Sequence, residues 1–215
     1  MTALEIYTKK GSNTSDNQDV MITAMNEGVH LYLVMDGCST LANSGGFARA
    51  MGDLIHSKFT MLAPEQLVPA SVRASLVDIF ESSREQIKLN YMSSSMSLAM
   101  LVVIQQRVAL LMHVGDCAIG RENSKGQVDW LTIPHTVVNK PIPELIGNPY
   151  RHGVCRSFKA KRESPIEWVV RPFNGSDCFV LASDGWWDSE NRGFSGECTP
   201  ADDISVIRIR RLKPA

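Results

Sequence analysis

Three apolar runs in this chain each end on a paired glycine and aspartate. Residues 30–35 end on Asp36-Gly37, 108–114 on Gly115-Asp116, and 178–183 on Asp184-Gly185. Each run has the length and composition of a buried strand. Each delivers a carboxylate to the point where the chain must turn. One such ending is ordinary turn chemistry. Three of them, with further acids at Asp19, Asp188 and Asp202, predict one acidic cluster assembled from strands distant in sequence. Oxygen-only ligands of that kind suit hard divalent cations such as Mg²⁺ or Mn²⁺.

The surrounding pattern sets these strands in an antiparallel frame. Residues 4–9, 20–25 and 29–35 read as strands joined by polar segments. From Gly45 the period changes. Phe47, Met51, Leu54, Ile55, Phe59 and Leu62 recur at helical spacing, and Pro64 stops that helix. A second helix begins near Pro69 and carries Val72, Leu76, Ile79, Phe80 and Ile87. Two helices in succession argue against a βαβ doubly wound sheet. Residues 98–104 and 108–114 form a hairpin around Gln105-Gln106-Arg107. Further strands fall at 118–122, 128–132, 167–172, 178–183 and 204–210. Residues 134–165 hold five of the ten prolines and little periodicity, so a long loop or small flap is expected there. The class is α+β with antiparallel sheets.

Composition narrows the function classes. A length of 215 residues, 44% apolar and 21% charged, suits one soluble domain over 1–215. The net charge of -1 offers no argument for nucleic acid or a membrane as partner. The basic run Arg208, Arg210, Arg211 and Lys213 alternates with Ile207 and Ile209, the pattern of a strand with one solvated face. Cys38, Cys117, Cys155, Cys178 and Cys198 are odd in number and lack a Cys-x-x-Cys pair, which argues against a zinc site. Cys117 and Cys178 read as core thiols. No signal-peptide core or membrane-length apolar run is present, so a cytoplasmic monomer is expected.

The order of motifs resembles that of the metal-dependent serine/threonine protein phosphatases, the protein phosphatase 2C family, in a small bacterial-type form. The matching stretches are Asn17-Gln18-Asp19, Val34-Met35-Asp36-Gly37, His113-Val114-Gly115-Asp116, the segment 182–188 and Asp202-Asp203-Ile204-Ser205-Val206. The resemblance implies a four-layer α-β-β-α sandwich, two antiparallel sheets face to face with helical pairs outside. It implies two Mn²⁺ or Mg²⁺ ions in a cleft at one end of the sheets. Asp36 would bridge them, the Gly37 carbonyl would bind one, and Asp184 and Asp202 the other. Asp19, with Gln18 where many relatives have Glu, would support the site through metal-bound water. Asp116 and Asp188 match the positions of a third, weaker ion. The implied activity is hydrolysis of phosphoserine and phosphothreonine in substrates of a serine/threonine kinase. A metal-bound water held by Asp36 would be the nucleophile. Clustered carboxylates repel one another and need such counter-charge.

The chain departs from the family pattern on the substrate side. Relatives carry a phosphate-gripping Arg five residues before Asp19, where Thr14 stands here. A threonine lacks the bidentate fork of a guanidinium. After Gly37 relatives carry a segment ending in His, where Cys38-Ser39-Thr40 stands here, with Cys38 in the histidine's place. The pair before the last strand is Asp202-Asp203. Either could be the ligand, and the alignment of Ile204-Ser205-Val206 favours Asp202. Only the stretch 189–201 joins Asp188 to Asp202, so a minimal fold with reduced outer helices is expected. Each acid also has a plainer reading as turn, cap or bulge residue. His113 reads as a core histidine and Trp186-Trp187 as packing. The alternative function is a catalytically weak pseudo-phosphatase that binds a phosphoprotein or another partner.

Overall fold

The computed structural model describes residues 2–137, 153–173, 178–191 and 201–211. Residues 138–152 of the expected flap, the segment after α3, Cys198 and Lys213 lie outside them. In chain order the elements are β1 (Thr2–Lys9), β2 (Asp19–Asn26), β3 (Val29–Gly37), α1 (Ser44–Thr60), α2 (Val72–Ile87), β4 (Ser95–Ile104), β5 (Val108–Val114), β6 (Ala118–Glu122), β7 (Val128–Trp130), β8 (Phe158–Lys159), β9 (Glu167–Pro172), β10 (Cys178–Ala182), α3 (Asp184–Asn191) and β11 (Ile204–Arg211). Two antiparallel sheets result. One runs β2-β3-β4-β5-β9 with β8 attached to β4, and the other runs β1-β11-β10-β6-β7.

The layering follows from alternation along the strands. All ten residues of β4 are buried, because both faces of the strand are covered. Met96, Leu98, Met100, Val102 and Ile104 face α1 and α2, while Ala99, Leu101 and Val103 face the other sheet. The helices contribute Phe47, Met51, Ile55 and Phe59 from α1 and Leu76 and Phe80 from α2 to the first layer. Between the sheets, Tyr32, Val34 and Leu111 meet Phe179, Leu181, Ile207 and Ile209.

Two connections show local sequence dictating turns. The β2–β3 hairpin turns through Glu27 and Gly28, both at positive φ. The β4–β5 hairpin turns through Gln105 and Gln106, also at positive φ. Paired left-handed residues match the twist of the flanking strands.

The outer face of the β1-β11-β10-β6-β7 sheet carries no helical pair among the described residues. Val180, Ala182 and Val206 are covered instead by Trp186 and Trp187 of α3, with Trp130 and Val128. Both indoles meet Trp130 at steep angles, 73° and 66°. The Trp186-Trp187 pair is therefore packing. Arg208 lies over the Trp186 ring and Arg210 pairs with Glu122, so these arginines of the basic run are engaged within the protein.

The 134–165 segment is not all loop. Thr136 bridges Val154, and β8 pairs Phe158 with Met96 and Lys159 with Ser95. Phe158 is fully buried against Phe47 and Phe80. A two-residue strand has no period to read, so this anchor was invisible in the sequence pattern.

Candidate metal centre

On four central strands the face between the sheets changes from apolar to polar at the same end. Tyr32 and Val34 lead to Asp36 on β3, and Leu101 and Ala99 lead to Ser97 and Ser95 on β4. Phe179 and Leu181 lead to Ser183 after β10, and Ile209 and Ile207 lead to Ser205 on β11. Where the apolar filling stops, the sheets part into a cleft of about 480 Å³. Its walls include Asp36, Asp116, Asp184 and Asp202.

Tight backbone contacts place these acids. A side chain on Gly37 would come within 2.6 Å of the backbone of Ser44 and Gly45, at the start of α1. A side chain on Gly185 would collide with the Asp203 carbonyl, so Gly185 lets the start of α3 pack on the Asp202-Asp203 segment. The glycine in these two pairs is thus a condition for bringing Asp36 and Asp184 to one cleft.

The carboxylates are short of partners. Asp19 lies behind Asp36, its register partner across β2–β3. The Ser183 hydroxyl donates to Asp19 Oδ2 at 2.9 Å, the Ser205 amide donates to Ser183 Oγ at 2.9 Å, and Asp19 Oδ1 is buried without a partner. Asp116 Oδ1, Asp184 Oδ1 and Gln18 Oε1 are likewise buried and unpaired. The Asp116 amide donates to Ser97 Oγ at 3.2 Å, and Trp187 Nε1 donates to the Asp116 carbonyl at 2.8 Å, so the backbone is held while Oδ1 has no partner. Burial, then the charges of Asp19, Asp184, Asp116 and Asp202, raise the Asp36 carboxyl well above the usual range. Burial, then Asp116 and Asp202, do the same at Asp184. Asp19 is pushed up to about 7, chiefly by burial, with Asp203 and Asp202 adding and the serine hydrogen bonds opposing. Burial also raises Asp116 and Asp202. Hard, buried, mutually repelling oxygens fit divalent cations.

Asp202 and Asp203 divide cleanly. Asp203 is 3% exposed and saturated. Its Oδ1 accepts from the Gly11 amide and the Thr14 hydroxyl, both at 2.8 Å, and its Oδ2 from the Gln18 amide at 2.7 Å. Asp203 therefore ties down the loop between β1 and β2, while Asp202 faces the cleft and, among the described residues, accepts from the Asp203 amide alone, at 2.8 Å.

Other expected residues are placed unevenly. Cys38 lines the cleft, with Sγ 3.2 Å from Thr40 Oγ1. Thr14 does not line it, because its hydroxyl is committed to Asp203. Asp188 lies on α3, and its side chain falls outside the described residues. The serines behind Asp19 were not anticipated, although the switch from Leu181 to Ser183 and from Ile207 to Ser205 was a readable signal.

Among the described residues, one set of three potential ligands has its atoms within 4.8 Å of one another. It is His113, His135 and Glu167, not the aspartates. Its atoms are mostly engaged. The Gly115 amide donates to His135 Nδ1 at 3.0 Å, which puts the proton on Nε2, and that proton goes to Glu167 Oε1 at 3.0 Å. His113 Nε2 donates to the Ile133 carbonyl at 3.1 Å, and its ring stacks on His135 at 4.6 Å. Arg156 supplies the cation beside Glu167. Burial lowers both histidine pKa values, so the pair is neutral.

No family model matches the chain, and no curated protein matches it. Solved structures do. A bacterial serine phosphatase superposes with a TM-score of 0.82 at 15% identity, covering all of both chains. The S. agalactiae serine/threonine phosphatase gives 0.80 at 16%, covering 99% of this chain and all of that one. The serine/threonine phosphatase Stp1 from Staphylococcus aureus gives 0.77 at 17%, covering 99% and 96%. Over its whole length the chain has the fold of these phosphatases.

Proposed function

We propose that this chain is a single phosphatase domain over residues 1–215 that hydrolyses phosphoserine and phosphothreonine in proteins. Two Mn²⁺ or Mg²⁺ ions would be held by Asp36, the Gly37 carbonyl, Asp184 and Asp202, with Asp116 and Asp188 at an outer site. The observation that carries this reading is the set of buried, partnerless oxygens on Asp19, Asp116 and Asp184, at the end where the sheets part. Divalent cations held there would offset the charge of the carboxylates and of the phosphate and would supply an activated water.

The chain's own part is positioning. Ser183 fixes the Asp19 carboxylate behind Asp36, and Asp203 holds the loop that carries Gln18 and Asp19. Gly185 sets Asp184 at the start of α3 beside Asp202. Full coverage by bacterial serine/threonine phosphatase folds supports phosphoproteins, the products of a kinase, as substrates.

The test is Mn²⁺-dependent turnover of p-nitrophenyl phosphate and a phosphopeptide by wild type, Asp36→Ala and Asp184→Ala. Equal rates in all three would refute a metal-dependent phosphatase. A second reading, a partner-binding pseudo-phosphatase, is favoured by the commitment of Thr14 to Asp203 and by Cys38 in the cleft. It predicts phosphopeptide binding without turnover.

A further inference from the structure

We propose that Lys159 on β8 is the cation that grips the substrate's phosphoryl group, reaching the cleft from the edge where β8 pairs with β4. This rests on the phosphatase reading above and deepens it.

The placement follows from register. Asp36 pairs with Ser97 across β3–β4, and Ser95 pairs with Lys159 across β4–β8. Paired residues share a face, as do residues two apart on one strand. Asp36, Ser97, Ser95 and Lys159 therefore all project between the sheets. Phe158 confirms the phase, because it packs on the helix side with Met96. Lys159 is half-buried and lines the same cleft as Asp36, Asp184 and Asp202.

Elimination points the same way. Lys159 is the only basic residue among the described residues that line the cleft. Other nearby cations are committed elsewhere. Lys10 Nζ donates to the Thr14 carbonyl at 2.8 Å, Arg49 to the Asn17 carbonyl at 3.2 Å, and Arg156 pairs with Glu167. Among the described residues no carboxylate or hydrogen-bond partner engages the Lys159 ammonium; its backbone amide donates to Ser164 Oγ at 3.1 Å. A phosphate monoester dianion entering a cleft of four aspartates needs positive charge beyond that which offsets those aspartates. An ammonium supplies it as a point charge with three donors, without the directional fork of a guanidinium.

The experiment measures inorganic phosphate binding to the Mn²⁺-loaded protein by calorimetry, for wild type, Lys159→Met and Lys159→Arg. Mn²⁺ affinity and KM and kcat for p-nitrophenyl phosphate are measured on the same preparations. Lys159→Met is expected to weaken phosphate binding and raise KM about tenfold or more, with Mn²⁺ affinity unchanged and Lys159→Arg restoring most of the loss. Phosphate binding to Lys159→Met within about twofold of wild type overturns the proposal, where tenfold is the scale of one charge-assisted contact. Loss of Mn²⁺ affinity in Lys159→Met, or no phosphate binding to wild type, overturns it as well. Wild type that binds phosphate without hydrolysing anything fails the phosphatase reading alone, and the binding data still decide on Lys159.

Discussion

Two polar clusters flank the Gly115-Asp116 corner, and they have opposite constitutions. On one side His113, His135, Glu167 and Arg156 close on one another, with the Gly115 amide as a further donor. Among these groups only His113 Nδ1 is left buried and unpaired. On the other side, Asp116, Asp184 and Asp19 each keep one buried oxygen, Oδ1, without a partner. A satisfied network adds rigidity, whereas an unsatisfied one costs free energy until something fills it. Proximity of potential ligands points to the histidine cluster, and unmet bonding capacity points to the aspartates. Unmet capacity is the better guide to where a ligand is needed.

The comparison breaks most visibly in activity. Asp184→Ala should cost about a thousandfold in Mn²⁺-dependent turnover, or ~4 kcal/mol of transition-state stabilisation, because a carboxylate of the proposed ligand set is lost. The same change should leave the metal-free protein at least as resistant to heat as wild type, because a repelling charge is gone. A metal-free Asp184→Ala protein that melts well below wild type would contradict the unsatisfied character of the cleft.

The neighbouring pair Asp202 and Asp203 sharpens the contrast. Asp203→Ala should destabilise the fold by about 3 kcal/mol in chemical denaturation, since three donors lose their acceptor. Asp202→Ala should cost the metal-free fold less than about 1 kcal/mol and act on Mn²⁺ affinity instead. Similar denaturation midpoints for the two variants would show that the hydrogen bonds do not separate them.

The pH dependence of the metal-free protein has a definite sign. Asp19, with its folded pKa raised to about 7, binds more protons folded than unfolded between pH ~4 and ~7. Stability from this group is full at the acid end and lost as pH rises through that window. The two histidines, lowered from 6.5, work the other way and remove stability as pH falls below that value. Mn²⁺ should abolish the carboxylate limb and leave the histidine limb, as read from melting temperature against pH. A carboxylate limb that persists at saturating Mn²⁺ would show that the ion does not occupy this cleft.

The smallest effect belongs to the satisfied side. Glu167→Gln should cost about 1 kcal/mol, because Glu167 is half-exposed and its pairs are partly screened. It should leave kcat within about twofold, well short of one decade or 1.36 kcal/mol. A hundredfold loss of turnover would make the histidine cluster part of the reaction.

Much of the fold was legible because burial imposes a period. Every strand longer than two residues, and both long helices, announced themselves through alternation or helical spacing. The neighbours of each strand did not. That β11 lies between β1 and β10 is a fact of long-range pairing, which no local pattern encodes. The acids were legible as chain endings, and four of them, Asp36, Asp116, Asp184 and Asp202, line one cleft. What separates Asp202 from Asp203 is which of them meets the Gly11, Thr14 and Gln18 donors, nearly two hundred residues away in sequence. Lys159 was hidden for the same reason, since its face is set by its register with Ser95.

The interior position of β11 has a consequence for the making of the protein. The strand synthesised last among the described elements is an interior member of its sheet, pairing β1 on one side and β10 on the other. A nascent chain stalled before residue 202 already carries Asp36 and Asp184, but neither Asp202 nor the Asp203 clasp on the first loop. Its β1 waits without β11, its partner in the sheet, until residues 204–211 are made, an exposed edge that invites chaperone attention. On the proposed ligand set the cleft of such a chain lacks one carboxylate and the clasp that holds Gln18, so it should bind Mn²⁺ more weakly than the chain that includes β11.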